Sequence, residues 1–340
     1  MKNPTIVDIA KRAGVTKGAV SFALNGQPGV SAATRERILA IAAEVGFKPS
    51  SAARALSDGK AGAVGLVIDR PARTLGIEPY FMQLLSGIQA ELIASHVTLL
   101  FTLAEDQADE IEMYRTWRAQ RKVDGVILVD LQVGDRRVEV LRELGMPAVA
   151  VGTPRGSGGL PAVWQDDLAA MRIAIGHLAG LGHRRVARVG GFPRYWHSRL
   201  RAQAFDEVTA AAGLEALSVA SDYTAEHGAD ATRELLRGPV LPTAIVYDND
   251  VMALAGVAVA RRAGLDVPGD LSVIAWDDSA LCELEHPAVT AMRRDIAAAG
   301  AQAARRLSLL VSGEDVGDYA EPAPRLMIRD STAPPGDRRA

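Results

Sequence analysis

Cysteine is almost missing: Cys282 stands alone among 340 residues. One thiol excludes an internal disulfide framework and cannot build a zinc site. No apolar run reaches the roughly 18–20 residues that a membrane span needs. The opening MKNPTIVDIAKRAG holds no apolar stretch followed by a small-residue cleavage site, so no secretory signal is read there. The six histidines show neither HExxH nor an i,i+4 metal pair. The chain also lacks a GxxxxGK[ST] phosphate loop and a GxSxG nucleophile elbow. Gly156, Gly158 and Gly159 miss the GxGxxG spacing and read as a flexible connection. Without a catalytic set, no enzyme activity, cofactor or metal is expected. These absences predict a cytosolic chain whose function lies in binding.

Hydrophobic residues make up 48% and charged residues 23% of the chain, a globular composition with length for two or three domains. The overall charge of −3 is uneven. Residues 1–60 hold nine basic and four acidic side chains, a net +5, which leaves −8 for the remainder. A basic head on an acidic body suits a head that meets a polyanion; a solvated basic surface has the same charge. The pattern within the head decides between them. Thr5 caps a first helix with Asp8 three positions on, and Ile6, Ile9, Ala10 and Ala13 share one face. Gly14 breaks it. Thr16 caps a second helix over about 17–24, with Val20, Ala23 and Leu24 inward. Asn25-Gly26 ends it. Ser31 caps a third, over about 32–45, with Ile38, Leu39, Ala42 and Val45 apolar. Two helices crossing steeply over a short turn need a small residue at the contact, a glycine in the turn and a branched residue locking the second helix. Ala10, Gly14 and Val20 have that spacing. This is a helix-turn-helix, whose second helix enters the major groove of DNA, with Thr16 and the helix start suited to phosphate. Residues 50–57, SSAARALS, spell a two-turn helix too short to stand alone in water, with Leu56 apolar on it.

The segments TIVDIAKRAGVTKGAVSFALNG and VSAATRERILAIAAEVGFKPSSAARALS resemble the heads of the LacI/GalR (lactose-repressor) family of bacterial regulators. The resemblance continues over nearly the whole chain. It implies domains at 1–48 (head), 49–60 (hinge helix or linker) and 61–340 (effector sensor), and double-stranded, pseudo-palindromic operator DNA as partner. It places base reading on Lys17, Gly18 and Phe22. Lys17 can donate to guanine, whereas Gly18 has no side chain and Phe22 offers only apolar contact. The family often carries polar groups there, so the operator sequence is left open. Thr5, Thr16, Ser21, Asn25 and Ser31 are the phosphate-contact candidates. Leu56, with Ala53 one turn earlier, takes the place of the family's minor-groove wedge.

From residue 61 short apolar runs alternate with helical stretches: 63–69, 97–103, 123–130 and 147–152, then 184–191, 243–250 and 271–278. Such alternation indicates βαβ units and parallel sheets, and two sets indicate two doubly wound lobes, an α/β class. Ligands of these folds sit beyond the carboxyl ends of strands, so Tyr80, Phe81, Asp130, Asn249, Trp276 and Asp277 are the candidates there. Carboxylates and amides that hold paired hydroxyls, with aromatic faces, suit a sugar; each acid taken alone is equally a helix cap. The body resembles the family's sensor domain, itself similar to periplasmic sugar-binding proteins. The lobes are expected at about 61–162 plus 294–322 and about 163–293 plus 323–332. The resemblance puts effector contacts on Arg201, Tyr223, Asn249 and Asp277, with His177 and His183 structural. It implies a cytoplasmic repressor of carbohydrate-utilisation genes, released from DNA by a sugar. A purine-type corepressor and, in a different class, a solute-binding protein are the alternatives. The ending STAPPGDRRA has no apolar heptads, so a homodimer is expected rather than a tetramer.

Overall fold

The computed structural model of the protein describes residues 4–24, 26–47, 60–239 and 241–336. It forms two compact units, residues 1–61 and 62–340.

In the first unit three helices, α1 (Ile6–Ala13), α2 (Lys17–Leu24) and α3 (Ala32–Glu44), enclose a core of Ile9, Ala10, Ala13, Val20, Ala23, Ile38 and Ala42. Local chemistry sets their ends. The Thr5 amide and hydroxyl both donate to Asp8 Oδ2, at 2.9 and 2.6 Å. Gly14 closes α1 at φ +64°, a conformation that favours glycine. Thr16 Oγ1 accepts from the Ala19 amide and Ser31 Oγ from the Thr34 amide. Leu39 departs from expectation. It is 44% exposed, because α3 turns Ile38 and Ala42 to the core and leaves position 39 on the outer flank.

The second unit holds two six-stranded sheets. Its elements in chain order are β1 (Ala63–Asp69), α4 (Ala72–Leu75), α5 (Pro79–Ala94), β2 (Thr98–Ala104), α6 (Gln107–Ala119), β3 (Gly125–Leu128), α7 (Arg136–Glu143), β4 (Ala148–Val151) and β5 (Ala162–Trp164). There follow α8 (Asp167–Leu181), β6 (Arg185–Gly190), α9 (Trp196–Ala211), β7 (Glu215–Ala220), α10 (Ala225–Arg237), β8 (Ala244–Tyr247) and α11 (Asp250–Arg262). The last are β9 (Ser272–Asp277), α12 (Ala280–Leu284), β10 (Thr290–Arg293), α13 (Ile296–Val311), β11 (Tyr319–Ala320) and β12 (Arg325–Met327).

One sheet runs β11-β5-β4-β3-β1-β2 and the other β12-β10-β9-β8-β6-β7. Every pairing is parallel except β10 with β12. Period-two alternation sorts β1 between two cores: Val64, Leu66 and Ile68 pack with α5 and α13, while Val67 packs on the other face with Tyr114 and Trp117. The second sheet is likewise covered on both faces. The chain crosses between lobes three times. β5 belongs to the first sheet, so the first crossing falls after Trp164, two residues later than expected. The expected runs omit β5, β7, β10, β11 and β12. β7 is an edge strand with little buried surface, and β5 and β11 span three and two residues, too short for periodicity to register. No helix among the described residues is long and apolar enough to cross a membrane.

Helix α13 lies against α5 at backbone distance. A Cβ on Gly87 would sit 1.8 Å from the Ala297 carbonyl oxygen, and one on Gly300 would sit 2.3 Å from that of Leu84. Gly87→Ala should therefore force the two helices apart and destabilise this unit by ~1–3 kcal/mol, read as a lower urea midpoint; an unchanged midpoint would contradict the close approach.

Candidate nucleic-acid interface and ligand cleft

In the first unit Val20 and Ala23 hold α2 to the core, which leaves Lys17, Gly18 and Phe22 on its exposed side. Phe22 is 42% exposed, and its ring lies beside Gly29. Ser21 is half-buried. The Thr5 hydroxyl donates to Asp8 and the Ser31 hydroxyl to Thr34. Among the phosphate candidates that cap helices, Thr16 thus keeps a hydroxyl proton free of hydrogen bonds to the described residues. Asn25, Ala53 and Leu56 lie outside the described residues.

In the second unit the strand ends of both sheets converge on one cleft. Its walls include Tyr80 and Phe81 at the start of α5, Asp130 after β3, Arg201 on α9, Tyr223 after β7 and Asp277 at the end of β9, six of the eight residues expected there. The other two lie elsewhere. Trp276 is buried in the core beneath the second sheet, because alternation along β9 turns it away from the strand end, and it meets the cleft only through the Arg201 guanidinium 4.7 Å above its ring. Asn249 caps α11 with its side-chain oxygen on the Met252 amide, and its Nδ2 donates to the Tyr223 carbonyl. The same Nδ2 donates to Glu78 Oε1 at 3.4 Å, so Asn249 caps its helix and also touches a residue of the cleft wall.

Three arginines organise the cleft: Arg201, which was expected there, and Arg70 and Arg294, which were not. Arg70 Nε donates to Asp130 Oδ2 at 3.0 Å. Arg201 donates through Nε to Asp167 and through Nη1 to the Asp248 carbonyl, both at 3.0 Å. Arg294 Nε donates to Asp277 at 2.5 Å. Each guanidinium also faces an aromatic ring: Arg201 on Trp276, Arg294 on Tyr80, and Arg70 among Phe81, Phe192, Tyr195 and Tyr223 at 5.0–5.7 Å. The Arg70 charge holds the Asp130 carboxyl below its usual range, against burial. The signal for Arg70 and Arg294 is in the sequence: each directly follows the last residue of a strand. The strand-end rule reaches them once cations are read with acids and rings.

His197 also lines the cleft. Burial pushes it down to about 3, so it is neutral at physiological pH. Its Nε2 meets Tyr223 Oη at 2.7 Å, and Ser198 Oγ meets the same oxygen at 2.6 Å. Gly191 makes room for that phenol, since a Cβ there would fall 1.9 Å from the ring. Asp130, Tyr223 and Asp277 all have positive φ, +51°, +71° and +86°, strained conformations that cluster at functional sites. The cavity among these groups has a volume of about 70 Å³. Sites that enclose drug-sized ligands run to roughly 300–1,000 Å³, so the walls must part for a ligand of that size.

The bacterial regulatory proteins of the lacI family match residues 5–50, and the periplasmic binding protein-like domain matches residues 175–332. The transcriptional regulator AglR of Rhizobium meliloti is 34% identical over 97% of this chain and 94% of its own length. The chain belongs to the LacI family of bacterial regulatory proteins. As a LacI-family member it is a DNA-binding transcriptional regulator and not an enzyme. Two solved structures are similar to it. A complex of the transcriptional regulator CelR with cellobiose is 31% identical, with a TM-score of 0.74 over 96% of this chain and 99% of that one. The lac repressor dimer bound to operator and the anti-inducer ONPF is 25% identical, with a TM-score of 0.84 over 98% and 100%.

The cleft lining also contains two glutamates, Glu78 and Glu321, outside the arginine–aspartate pairs. Burial pushes Glu321 up to about 7, against the pull of Arg294. A carboxyl raised in the folded state costs nothing below its unfolded pKa and opposes folding increasingly as pH rises toward 7. Glu321→Gln should therefore leave the Tm unchanged near pH 4 and raise it near pH 8. Equal shifts at both pH values, in thermal melts of the two proteins, would refute that ionisation.

Proposed function

We propose that this regulator is a cytoplasmic homodimeric repressor of carbohydrate-utilisation genes, released from a pseudo-palindromic operator by a neutral sugar in the cleft. The observation that carries the sugar is the set of three Arg–Asp ion pairs beside aromatic rings. Each pair cancels its own charge yet leaves donors and acceptors fixed in space, which suits a ligand rich in hydroxyls and free of charge. The rings cover guanidinium faces, and Tyr80 and Phe81 meet edge-on at 82°; neither arrangement offers a pair of parallel faces to clasp a purine. The CelR–cellobiose complex supports the same ligand class, and the operator-bound lac repressor dimer supports the twofold assembly.

In the head, Lys17 reads a base edge, Gly18 lets the backbone approach, and Phe22 contacts a thymine methyl. Thr5, Thr16, Ser21, Asn25 and Ser31 contact phosphates, and Leu56 with Ala53 wedges the minor groove at the dyad. Sugar binding changes the pose of the lobes, separates the paired hinge segments and withdraws Leu56. The proposed division of the chain is a head at 1–48, a hinge at 49–60 and a two-lobed sensor beyond.

Gel retardation with duplexes from the protein's own promoter region tests this. Affinity should fall by roughly 10³–10⁵ between 50 and 200 mM salt if a dimer neutralises about six to ten phosphates. A neutral sugar should release the duplex; ligands that only tighten binding would turn the proposed inducer into a corepressor. In the same assay Leu56→Ala should lose a few kcal/mol of operator affinity, on the order of the unstacking and bending energies, with effector binding intact. Unchanged operator affinity in that variant would remove the wedge.

A further inference from the structure

Two buried polar atoms of cleft residues have no hydrogen-bond partner among the described residues: Arg70 Nη1 and Glu78 Oε2. Both residues line the same cavity and are about 95% buried, with exposures of 5% and 6%. A buried donor or acceptor left unmade costs about 1–3 kcal/mol, so two of them facing one cavity call for a ligand. The remaining atoms of the two side chains are committed. Arg70 spends Nε and Nη2 on Asp130, both at 3.0 Å, and aromatic rings surround its guanidinium. Only the Nη1 edge is left to bind. Glu78 Oε1 accepts from Asn249 Nδ2 of the second lobe at 3.4 Å. Arg70 is the cation that chiefly opposes the effect of burial on Glu78, and the cavity that both residues line has a volume of only about 70 Å³.

An orphan donor and an orphan acceptor on residues that line one small cavity select strongly among ligand groups. A phosphate or carboxylate would satisfy Arg70 but press its charge on Glu78, and the bidentate grip that favours anions is already taken by Asp130. An ammonium would satisfy Glu78 and meet the Arg70 charge. A hydroxyl accepts and donates at one atom. We propose that Arg70 and Glu78 are specificity-determining residues that together read one hydroxyl of a neutral polyol effector, which accepts from Arg70 Nη1 and donates to Glu78 Oε2. This rests on the sugar-sensing reading above. Because Glu78 bonds Asn249 and Arg70 lies against Phe192, Tyr195 and Tyr223, the hydroxyl is read where the two lobes meet.

The full-length protein is titrated calorimetrically with maltose, cellobiose, trehalose, sucrose and melibiose, and with glucose 6-phosphate and glucuronate as anions. The wild type should bind at least one neutral disaccharide and neither anion. Arg70→Lys keeps a cation for Asp130 but loses Nη1, and Glu78→Gln keeps the shape of the side chain while replacing the acceptor. Each should weaken that disaccharide by roughly tenfold or more. Singly deoxygenated analogues of the bound sugar then locate the hydroxyl: the analogue weakened in the wild type should lose nothing further in Arg70→Lys, a coupling that a merely structural role would not produce. Both variants binding like the wild type would overturn the pair while leaving the sugar sensor standing, as would analogues that lose equally in wild type and variant. A wild type that binds glucose 6-phosphate more tightly than any disaccharide would overturn hydroxyl selection. Binding of no neutral sugar at all would overturn both readings.

Discussion

Burial of charge in the cleft is the constraint on which the sensor depends. Removing an ion from water costs several kcal/mol even after relaxation, and this cavity collects Arg70, Arg201 and Arg294 with Asp130, Asp167 and Asp277 among its walls. The arrangement is tolerable because each cation has a carboxylate within hydrogen-bond distance and a ring beside it. The geometry must therefore be held tightly: a shift of one partner leaves the other charged, dry and alone, which costs about 3–5 kcal/mol.

Two buried arginines behind the cleft supply that rigidity, one in each lobe. Arg188 binds the Asp248 carboxylate through Nε at 2.9 Å and through Nη2. That carboxylate also accepts from the Gly191 amide, and the Asp248 carbonyl receives Arg201. A residue outside the cavity thus sets the position of one inside it. In the first lobe Arg137 joins Asp135, Glu110 and the Asp130 carbonyl. Asp135 in turn accepts from the Gln132 amide. Gln132 bridges Tyr195 of the second lobe, flanked by Val133 N–H to the Arg194 carbonyl and Trp196 N–H to the Leu131 carbonyl, both at 2.9 Å. The support beneath Asp130 therefore also ties one lobe to the other, so movement of the ligand site and movement of the lobes share the same groups.

Legibility in the sequence followed local chemistry. The three head helices, their caps at Thr5, Thr16 and Ser31 and the break at Gly14 are decided within a few residues, and each was readable. The long buried strands β1, β3, β8 and β9 announce themselves as branched runs. Edge and crossing strands do not: β7 is an exposed edge strand, β5 and β11 are too short, and β11 finds its place only against a partner over a hundred residues away, with Tyr319 beside Val163. The cleft divided along the same line. Arg201, Tyr223 and Asp277 came from family positions, and Asp130 from its place at a strand end. Trp276 and Asn249 stand one contact behind the cleft wall, Trp276 under Arg201 and Asn249 against Glu78, because of the alternation of β9 and the cap on α11. Positive φ at Asp130, Tyr223 and Asp277 left no trace, because none of these residue types demands it.

The unsatisfied atoms also bear on how a ligand could drive a switch. A ligand shifts a two-state equilibrium only by its difference in affinity for the two states. Contacts that exist identically before and after lobe movement contribute nothing to that difference. Asp248 and Arg188 belong to one lobe and move together, so they orient the ligand without biasing the switch. Glu78 is different: its Oε1 is bonded to Asn249 across the lobes while its Oε2 is free for ligand. One carboxylate serves both the interlobe contact and the ligand, and a hydroxyl donating to it competes for, or reinforces, the geometry that Asn249 requires. A single such group, at about 1–3 kcal/mol, changes the balance of states by roughly 5- to 150-fold, within the ordinary range of coupling between sites. The coupling can thus arise from a few atoms at the lobe junction, and the many remaining contacts of the cleft are left to decide which sugar enters.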